Sequence, residues 1–457
     1  MKATADYERF ILSRAKWNGD GGFSAESLPD FLFPFQSELV SWALRKGRSA
    51  IFADCGLGKT AMQLAWADQV IKRTNKPALL LTPLAVGAQS LREAAKFGIE
   101  AARSRDGKMD GSAKVWITNY QQLHKFDPSK FAAVVCDESQ AIKDSKSQTR
   151  DVVTEFMRTI PYRLLCTATA APNDYWELGT SSEALGYLGF RDMITTFFKQ
   201  DVQKDYLGWG RTKYRFRGHA EHPYWSWVCS WAKCLRRPSD IGFDDSGFDL
   251  PPLHEHEYIV QAAKARKGML FAIPARNMQE ERAERHISIS ERIEKAVELV
   301  EAHVGPSVIW CELNPEGDAL ERAIPGAVQV KGSMSDDRRE EILEAFGAGQ
   351  IERLVTKPKI GCWGLNWQHC SNVVTFPSHS FEQYYQLVRR CWRFGQTRPV
   401  NVHLVVSEGE VGILKSIKRK AHQADVMFEE LRQHMNDPQH LAKVDRFPLK
   451  EEVPSWL

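Results

Sequence analysis

Ile51-Phe-Ala-Asp-Cys-Gly-Leu-Gly-Lys-Thr60 is the stretch on which the reading of this chain turns. A short apolar run with strand character enters a glycine-containing turn, and Lys59-Thr60 opens a segment, Ala61 to Val70, rich in helix formers. Strand, turn and helix in that order aim backbone N–H groups and the positive end of a helix dipole at one point, which suits an anion. Lys59 would reach the β- and γ-phosphates of a nucleotide, the Thr60 hydroxyl would sit on Mg²⁺, and Gly56 and Gly58 would lie in the phosphate-binding turn. Ala53 breaks the strict G-x-x-x-x-G-K-[ST] pattern at its first position, so the motif draws its weight from the residues downstream of it.

At 457 residues the chain exceeds one ordinary core, and two or three domains are expected. With 43% hydrophobic and 26% charged residues it can bury sizeable cores and is not disordered by composition. A net charge of +3 is only mildly basic, so a nucleic-acid partner has to be argued from local features. The nine cysteines include no C-x-x-C pair, and Cys136, Cys166 and Cys311 fall in apolar, strand-like runs, which suits a reducing compartment. No apolar run reaches membrane-spanning length and the first residues lack a signal-peptide core, so a soluble, cytoplasmic protein without a membrane partner is expected.

Upstream of the phosphate loop, Leu32-Phe-Pro-Phe-Gln36 precedes a helix-period stretch. The Gln36 amide can both donate and accept, as adenine recognition requires; the alternative is a polar helix start. Downstream, strand-like runs at Ala78–Thr82, Val115–Thr118, Ala132–Cys136 and Tyr162–Cys166 alternate with helical patterns, which predicts a parallel sheet whose carboxyl ends bind ligand. One of these runs feeds Asp137-Glu138. An acidic residue there can hold Mg²⁺ and its neighbour can take the proton of an attacking water.

From about Leu185 to Gly247 the composition turns aromatic and basic, with Trp209, Trp225, Trp227 and Trp231 among Arg211, Lys213, Arg215 and Arg217. A small helical insertion with its own aromatic core is the preferred reading, and stacking on bases the alternative. His219, His222, Cys229 and Cys234 match no standard zinc spacing. A charged helical stretch from Ala262 to His303 leads to a second alternating block, in which Arg389-Arg390-Cys-Trp-Arg393-Phe-Gly-Gln396 closes a helix. Such arginines could reach a nucleotide held by the first block, or could be a solvated basic helix end.

Read in order, these motifs resemble the Swi/Snf-type branch of superfamily two helicases. Gln36, Gly56–Thr60, Thr82-Pro83, Ile117–Tyr120, Asp137–Gln140, Thr167–Thr169 with Asn173, Lys331–Ser333, Lys359–Asn366 and Arg390–Gln396 carry the resemblance. It implies an α/β fold of two RecA-like parallel-sheet lobes with a mainly helical, aromatic-rich insertion between them. The corresponding division is 1–185 for the first lobe and its extension, 186–250 for the insertion, 251–303 for linker and charged helices, 304–435 for the second lobe and 436–457 for a tail.

The resemblance further implies a DNA-dependent ATPase that uses ATP and Mg²⁺ to translocate on double-stranded DNA. The alternatives are a strand-separating helicase acting on DNA or RNA, and an inactive nucleic-acid-binding adaptor. Single-stranded DNA, RNA or a partner protein would be other partners, and a bacterial cell or phage-infected host the setting. By role, Lys59, Asp137, Glu138, Arg390 and Arg393 would be catalytic, with Thr60 and Asp137 on the metal. Gln36, Gly56, Gly58, Lys59, Thr60 and Gln396 would bind nucleotide. Thr82, Asn119, Ser333, Thr356 and Asn366 would follow the nucleic acid, and Thr167 and Thr169 would couple the two sites. The first motif is one residue shorter than the family's usual Asp-Glu-Met-Gly form, and Trp392 stands where a His is common.

Overall fold

The computed structural model describes residues 21–171, 174–204, 210–262, 275, 277–361 and 365–435. The expected elements at the N-terminus and in the tail, together with Asn173, Tyr206, Trp209 and Cys362–Gly364, lie outside that set.

The short apolar runs build two parallel sheets. The first contains β1 (Arg48–Ala53), β2 (Ala78–Thr82), β3 (Ala101–Arg103), β4 (Val115–Asn119), β5 (Ala133–Asp137), β6 (Tyr162–Cys166) and β9 (Ala232–Leu235), in the order β3-β4-β2-β5-β6-β1-β9. Alternation along β1 sends Ala50 and Phe52 into one core and Ile51 and Ala53 into another, so both faces of the sheet are covered. The second sheet contains β10 (Leu253–Val260), β11 (Ser307–Trp310), β12 (Ala327–Gln329), β13 (Arg353–Thr356), β14 (Asn372–Thr375) and β15 (Val400–Ser407), in the order β10-β15-β14-β11-β13-β12. Val308 and Trp310 face one of its cores and Ile309 the other. These are the two RecA-like lobes.

Residues 186–250 join the first lobe. They supply the antiparallel hairpin β7 (Phe198–Lys204) and β8 (Gly210–Phe216), the helix Glu221–Trp231 and the edge strand β9, which pairs with β1 from Ala50↔Ala232 to Ala53↔Leu235. Trp225, Trp227 and Trp231 are at most 1% exposed. Their core is shared with Phe52, Leu79 and Val134 of the sheet and is not a separate one, because β9 anchors the helix against the sheet. His222 stacks edge-on with His434, and the Cys229 thiol donates to the Leu431 carbonyl, so both meet the terminal helix.

That helix, Val411–Met435, spans both lobes. Ile413, Leu414 and Ile417 belong to a second-lobe core, whereas Met427, Phe428, Leu431 and Met435 complete the first-lobe core. Elsewhere the lobes meet through ion pairs: Lys143 with Glu382, Arg103 with Glu340 at 3.0 Å and Arg92 with Glu344 at 2.6 Å.

The two imidazoles of His254-Glu-His256 lie on the outer strand β10, and His256 stacks on His403 of β15 at 5.1 Å. Burial, then the neighbouring His256, His303 and Lys295, push the His403 pKa down to about 4. The unfolded chain therefore binds a proton between about pH 6.5 and 4 that the folded chain refuses, so stability falls as pH drops through that window. His403→Gln is expected to flatten this part of the melting-temperature profile, measured between pH 4 and 7.5. Parallel profiles for the two proteins would count against it.

Candidate functional site

The turn Asp54–Gly58 joins the end of β1 to the helix Lys59–Thr74. Gly56 and Gly58 have φ of 92° and 74°, in the left-handed region that favours glycine. A Cβ on Gly58 would stand 2.3 Å from Gln36 Nε2, and one on Gly56 2.8 Å from the Phe394 backbone nitrogen. At its two glycines the loop is thus closely approached, by Gln36 on one side and by the second lobe on the other. Gln36 is buried; its amide donates to the Leu57 carbonyl at 2.9 Å and accepts from the Phe33 N–H at 3.0 Å. Lys59 Nζ turns back onto the Ala53 and Asp54 carbonyls at 3.0 and 3.3 Å. Thr60 sits in the first helical turn, where unpaired N–H groups face the loop. A turn with two left-handed glycines, a lysine held by weak neutral acceptors and a hydroxyl at a helix start fit a nucleoside triphosphate with Mg²⁺.

Asp137 closes β5 next to this loop. Both Asp137 and Glu138 are buried. Burial, followed by the Glu138 charge, pushes the Asp137 pKa up to about 7, against the pull of the Gln63 hydrogen bond and the Lys59 charge. Glu138 adopts φ 49°, a left-handed conformation that costs a non-glycine residue about 1–3 kcal/mol and recurs at functional sites. Its carboxylate accepts from Gln140 Nε2 at 3.1 Å. The Thr167 hydroxyl donates to Gln140 Oε1 and accepts from the Thr169 N–H at 3.1 Å. Thr167 and Thr169 are thereby wired to the carboxylate that the sequence named as base. Gln63, which donates to Asp137 at 2.7 Å, was not singled out from sequence. Its signal was a polar residue four positions after Lys59, inside the otherwise apolar run from Ala61 to Ala67.

The second lobe contributes the helix Phe381–Cys391 and the turn after it. Arg393 donates to the Leu365 carbonyl at 3.3 Å, and its guanidinium pKa is lowered to about 10 by burial and Arg390, with Cys55, Glu93 and Glu138 opposing. The next residue, Phe394, lies against Gly56, so this turn meets the phosphate loop. Arg390 does not join it. Its guanidinium is 1% exposed and is used up by the Leu365 carbonyl, the Gln386 carbonyl and Gln386 Oε1 inside its own lobe. Gln396 is likewise turned away from the nucleotide loop, because its amide bonds the Cys370 and Cys391 carbonyls and the N–H groups of Thr397 and Arg398. Arg389 instead crosses to Asp54.

Three residues of the expected nucleic-acid track are the last of parallel strands: Thr82 of β2, Asn119 of β4 and Thr356 of β13. Thr82 is buried and Asn119 caps the adjoining turn through the Gln122 N–H at 3.1 Å. Among the described residues Thr356 Oγ1 and Asn366 Oδ1 are buried and find no hydrogen-bond partner, and Ser333 is exposed. A cleft of about 370 Å³ between the lobes is lined by Pro83, Tyr120, Glu138, Arg339, Glu340 and Lys359 among others. Among the described residues no group of three or more His, Cys, Asp or Glu side chains is placed to cage a metal ion, and no helix is long and apolar enough to cross a membrane. The eight described cysteines are buried free thiols.

Residues 291–395 match the family model for the helicase conserved C-terminal domain. The chain is 24% identical to a Bacillus subtilis (strain 168) protein named as an ATP-dependent helicase/translocase, YwqA, over 91% of this chain and 50% of that protein. It is 23% identical to protein p41 of Acyrthosiphon pisum secondary endosymbiont phage 1, over 87% of this chain and 98% of that one. Against the Drosophila melanogaster SWI/SNF-related matrix-associated actin-dependent regulator of chromatin subfamily A-like protein 1 it is 27% identical, over 40% of this chain and 25% of the relative. The chain thus spans about half the Bacillus relative and a quarter of the fly one. The solved Sulfolobus solfataricus SWI2/SNF2 ATPase core in complex with dsDNA aligns at 18% identity and a TM-score of 0.42, over 93% of this chain and 99% of that one.

Proposed function

We propose that this chain, a Snf2-type member of superfamily two with an ATP-hydrolysing, helicase-like core, moves along double-stranded DNA by ATP-driven opening and closing of its two lobes. The observation that carries this reading is that Phe394 of the second lobe lies against Gly56 of the phosphate loop, while Gln63 of the helix after that loop bonds Asp137. The phosphate loop and the Asp137-Glu138 strand end come from one lobe, and the Arg393-Phe394 turn comes from the other.

Bound ATP–Mg²⁺ would supply the phosphoanhydride whose cleavage drives the cycle. Lys59 would exchange its loop carbonyls for phosphate oxygens, and Thr60 and Asp137 would hold the metal. Glu138 would take the proton of the attacking water, and Arg393 would offset charge on the transferred group from the opposite lobe. Gln140 and Thr167 would carry the state of Glu138 to Thr169. Thr82, Asn119, Ser333, Thr356 and Asn366 would touch the nucleic acid, mainly at phosphates and so with little sequence preference.

Trp225, Trp227 and Trp231 lie in the first-lobe core, so they offer no wedge for separating strands. The bacterial and phage relatives and the free thiols suit a cytoplasmic setting.

The test is steady-state ATP hydrolysis with Mg²⁺, alone and with duplex DNA, single-stranded DNA or RNA, with Lys59→Ala as control. Stimulation mainly by duplex, falling steeply with salt, is the expected result. Preference for single strands or RNA would favour a strand-separating helicase, and no turnover would favour the adaptor.

A further inference from the structure

We infer that Arg389, assisted by Tyr385, is a positioning residue that ties the phosphate loop to the second lobe through Asp54. The inference rests on the ATP-hydrolysing reading of this cleft and adds a residue to it.

Asp54 comes directly after β1 and precedes the two glycines of the loop. Its backbone N–H donates to the Leu235 carbonyl at 3.0 Å, and its own carbonyl accepts from Lys59 Nζ at 3.3 Å. Its carboxylate turns the other way, across the lobe boundary. Oδ1 accepts from the Cys55 N–H at 2.5 Å and from the Tyr385 hydroxyl, and Oδ2 accepts from Arg389 Nη2. On the far side Arg389 is held in place by stacking: its guanidinium lies 4.4 Å from the Trp392 ring centre and 5.4 Å from that of Tyr385. Nη1 also donates to the Trp392 carbonyl at 3.3 Å. The Asp54 side chain is 4% exposed and that of Arg389 8%.

A buried ion pair between two bodies behaves unlike one within a body. Each charge is costly to bury alone, so the pair is favourable only while both sides are present, and each charge returns to water when the lobes part. Closure and the placement of Asp54 are therefore linked. Lys59 is linked too, because it rests on the Asp54 and Ala53 carbonyls. Asp54, Tyr385 and Arg389 also line a cavity of about 510 Å³ between the lobes, so they can separate without displacing packed core. Arg389 and Tyr385 bond the loop at the Asp54 carboxylate, which makes them positioning residues. Arg390 and Arg393 both donate to the Leu365 carbonyl of their own lobe, and of the three arginines on this short segment Arg389 is the one that pairs with Asp54 of the loop.

The experiment is a double-mutant cycle on the full chain with Asp54→Asn, Arg389→Gln and the double variant, with Tyr385→Phe alongside. Two quantities are measured: kcat and KM for ATP with duplex DNA, and energy transfer between one dye on each lobe without nucleotide. Each single variant is expected to lower kcat about tenfold at nearly constant KM and to reduce the high-transfer population. The double variant, which leaves no buried charge unpaired, is expected to be no worse than the poorer single, and Tyr385→Phe to be milder. Effects that multiply in the double variant, or a KM that rises in step with the loss of kcat, would overturn the inference. If the wild-type chain hydrolyses no ATP, the functional reading fails, and the energy-transfer cycle alone decides the link between Asp54 and Arg389.

Discussion

Replacing Glu138 by Gln is expected to slow ATP hydrolysis about 10³-fold while nucleotide affinity changes by less than about threefold. Glutamine keeps the size and hydrogen-bonding ability of the side chain, so the contact with Gln140 and the left-handed backbone can persist. The lost property is basicity at the carboxylate that neighbours Asp137 and leaves the Gln63 amide to it. An interaction used only in the transition state shows itself as equal falls in kcat and kcat/KM. Coupled-assay turnover and titration with a fluorescent nucleotide would measure both quantities. Retention of more than about a tenth of the wild-type rate would remove Glu138 from the role of base.

The second large effect separates two neighbouring arginines. Arg393→Ala is expected to lower turnover about 10³-fold, in the range of a trans-acting arginine, with little change in melting temperature. Arg390→Ala is expected to act first on the fold. It strips Gln386 Oε1 of its buried donor, takes the nearer of two donors from the Leu365 carbonyl and leaves a void, a loss of about 3 kcal/mol. The second lobe should then melt several degrees lower, and activity should fall in proportion to the unfolded fraction. Melting curves and turnover on the two variants would distinguish these behaviours. Equal melting temperatures with equal loss of turnover would return Arg390 to the catalytic group.

The parallel sheets were legible because strands covered on both faces read as short unbroken apolar runs, as Ala78–Thr82 and Ala133–Cys136 do. The loop, the carboxylates and the two threonines were legible for a related reason. Each comes at the end of such a run, and the carboxyl ends of parallel strands gather on one edge. What escaped depends on phase and distance. Arg389 and Arg390 are consecutive on a helix, so about 100° of rotation sends one across the cleft and the other inward, and the sequence carries no absolute phase. β9 is four residues with a lysine inside it, too short and too polar to announce that it would pair with β1. Gln396 occupied a motif position, but which groups its amide would bond is a property of the folded turn.

The helix Val411–Met435 carries a mechanical consequence. One rigid rod of roughly 37 Å is embedded at either end in a different body. Pulling the bodies apart along it would drag Met427, Phe428 and Leu431 into water, whereas the ion pair Arg92–Glu344 is half in solvent already and is weakened by salt. Under the proposed opening and closing, separation would start at the solvent-exposed pairs and swing about the rod, as a door swings about its hinge post. The stroke available to each cycle would then be set by how far the two bodies can turn before the last turns of that helix peel away.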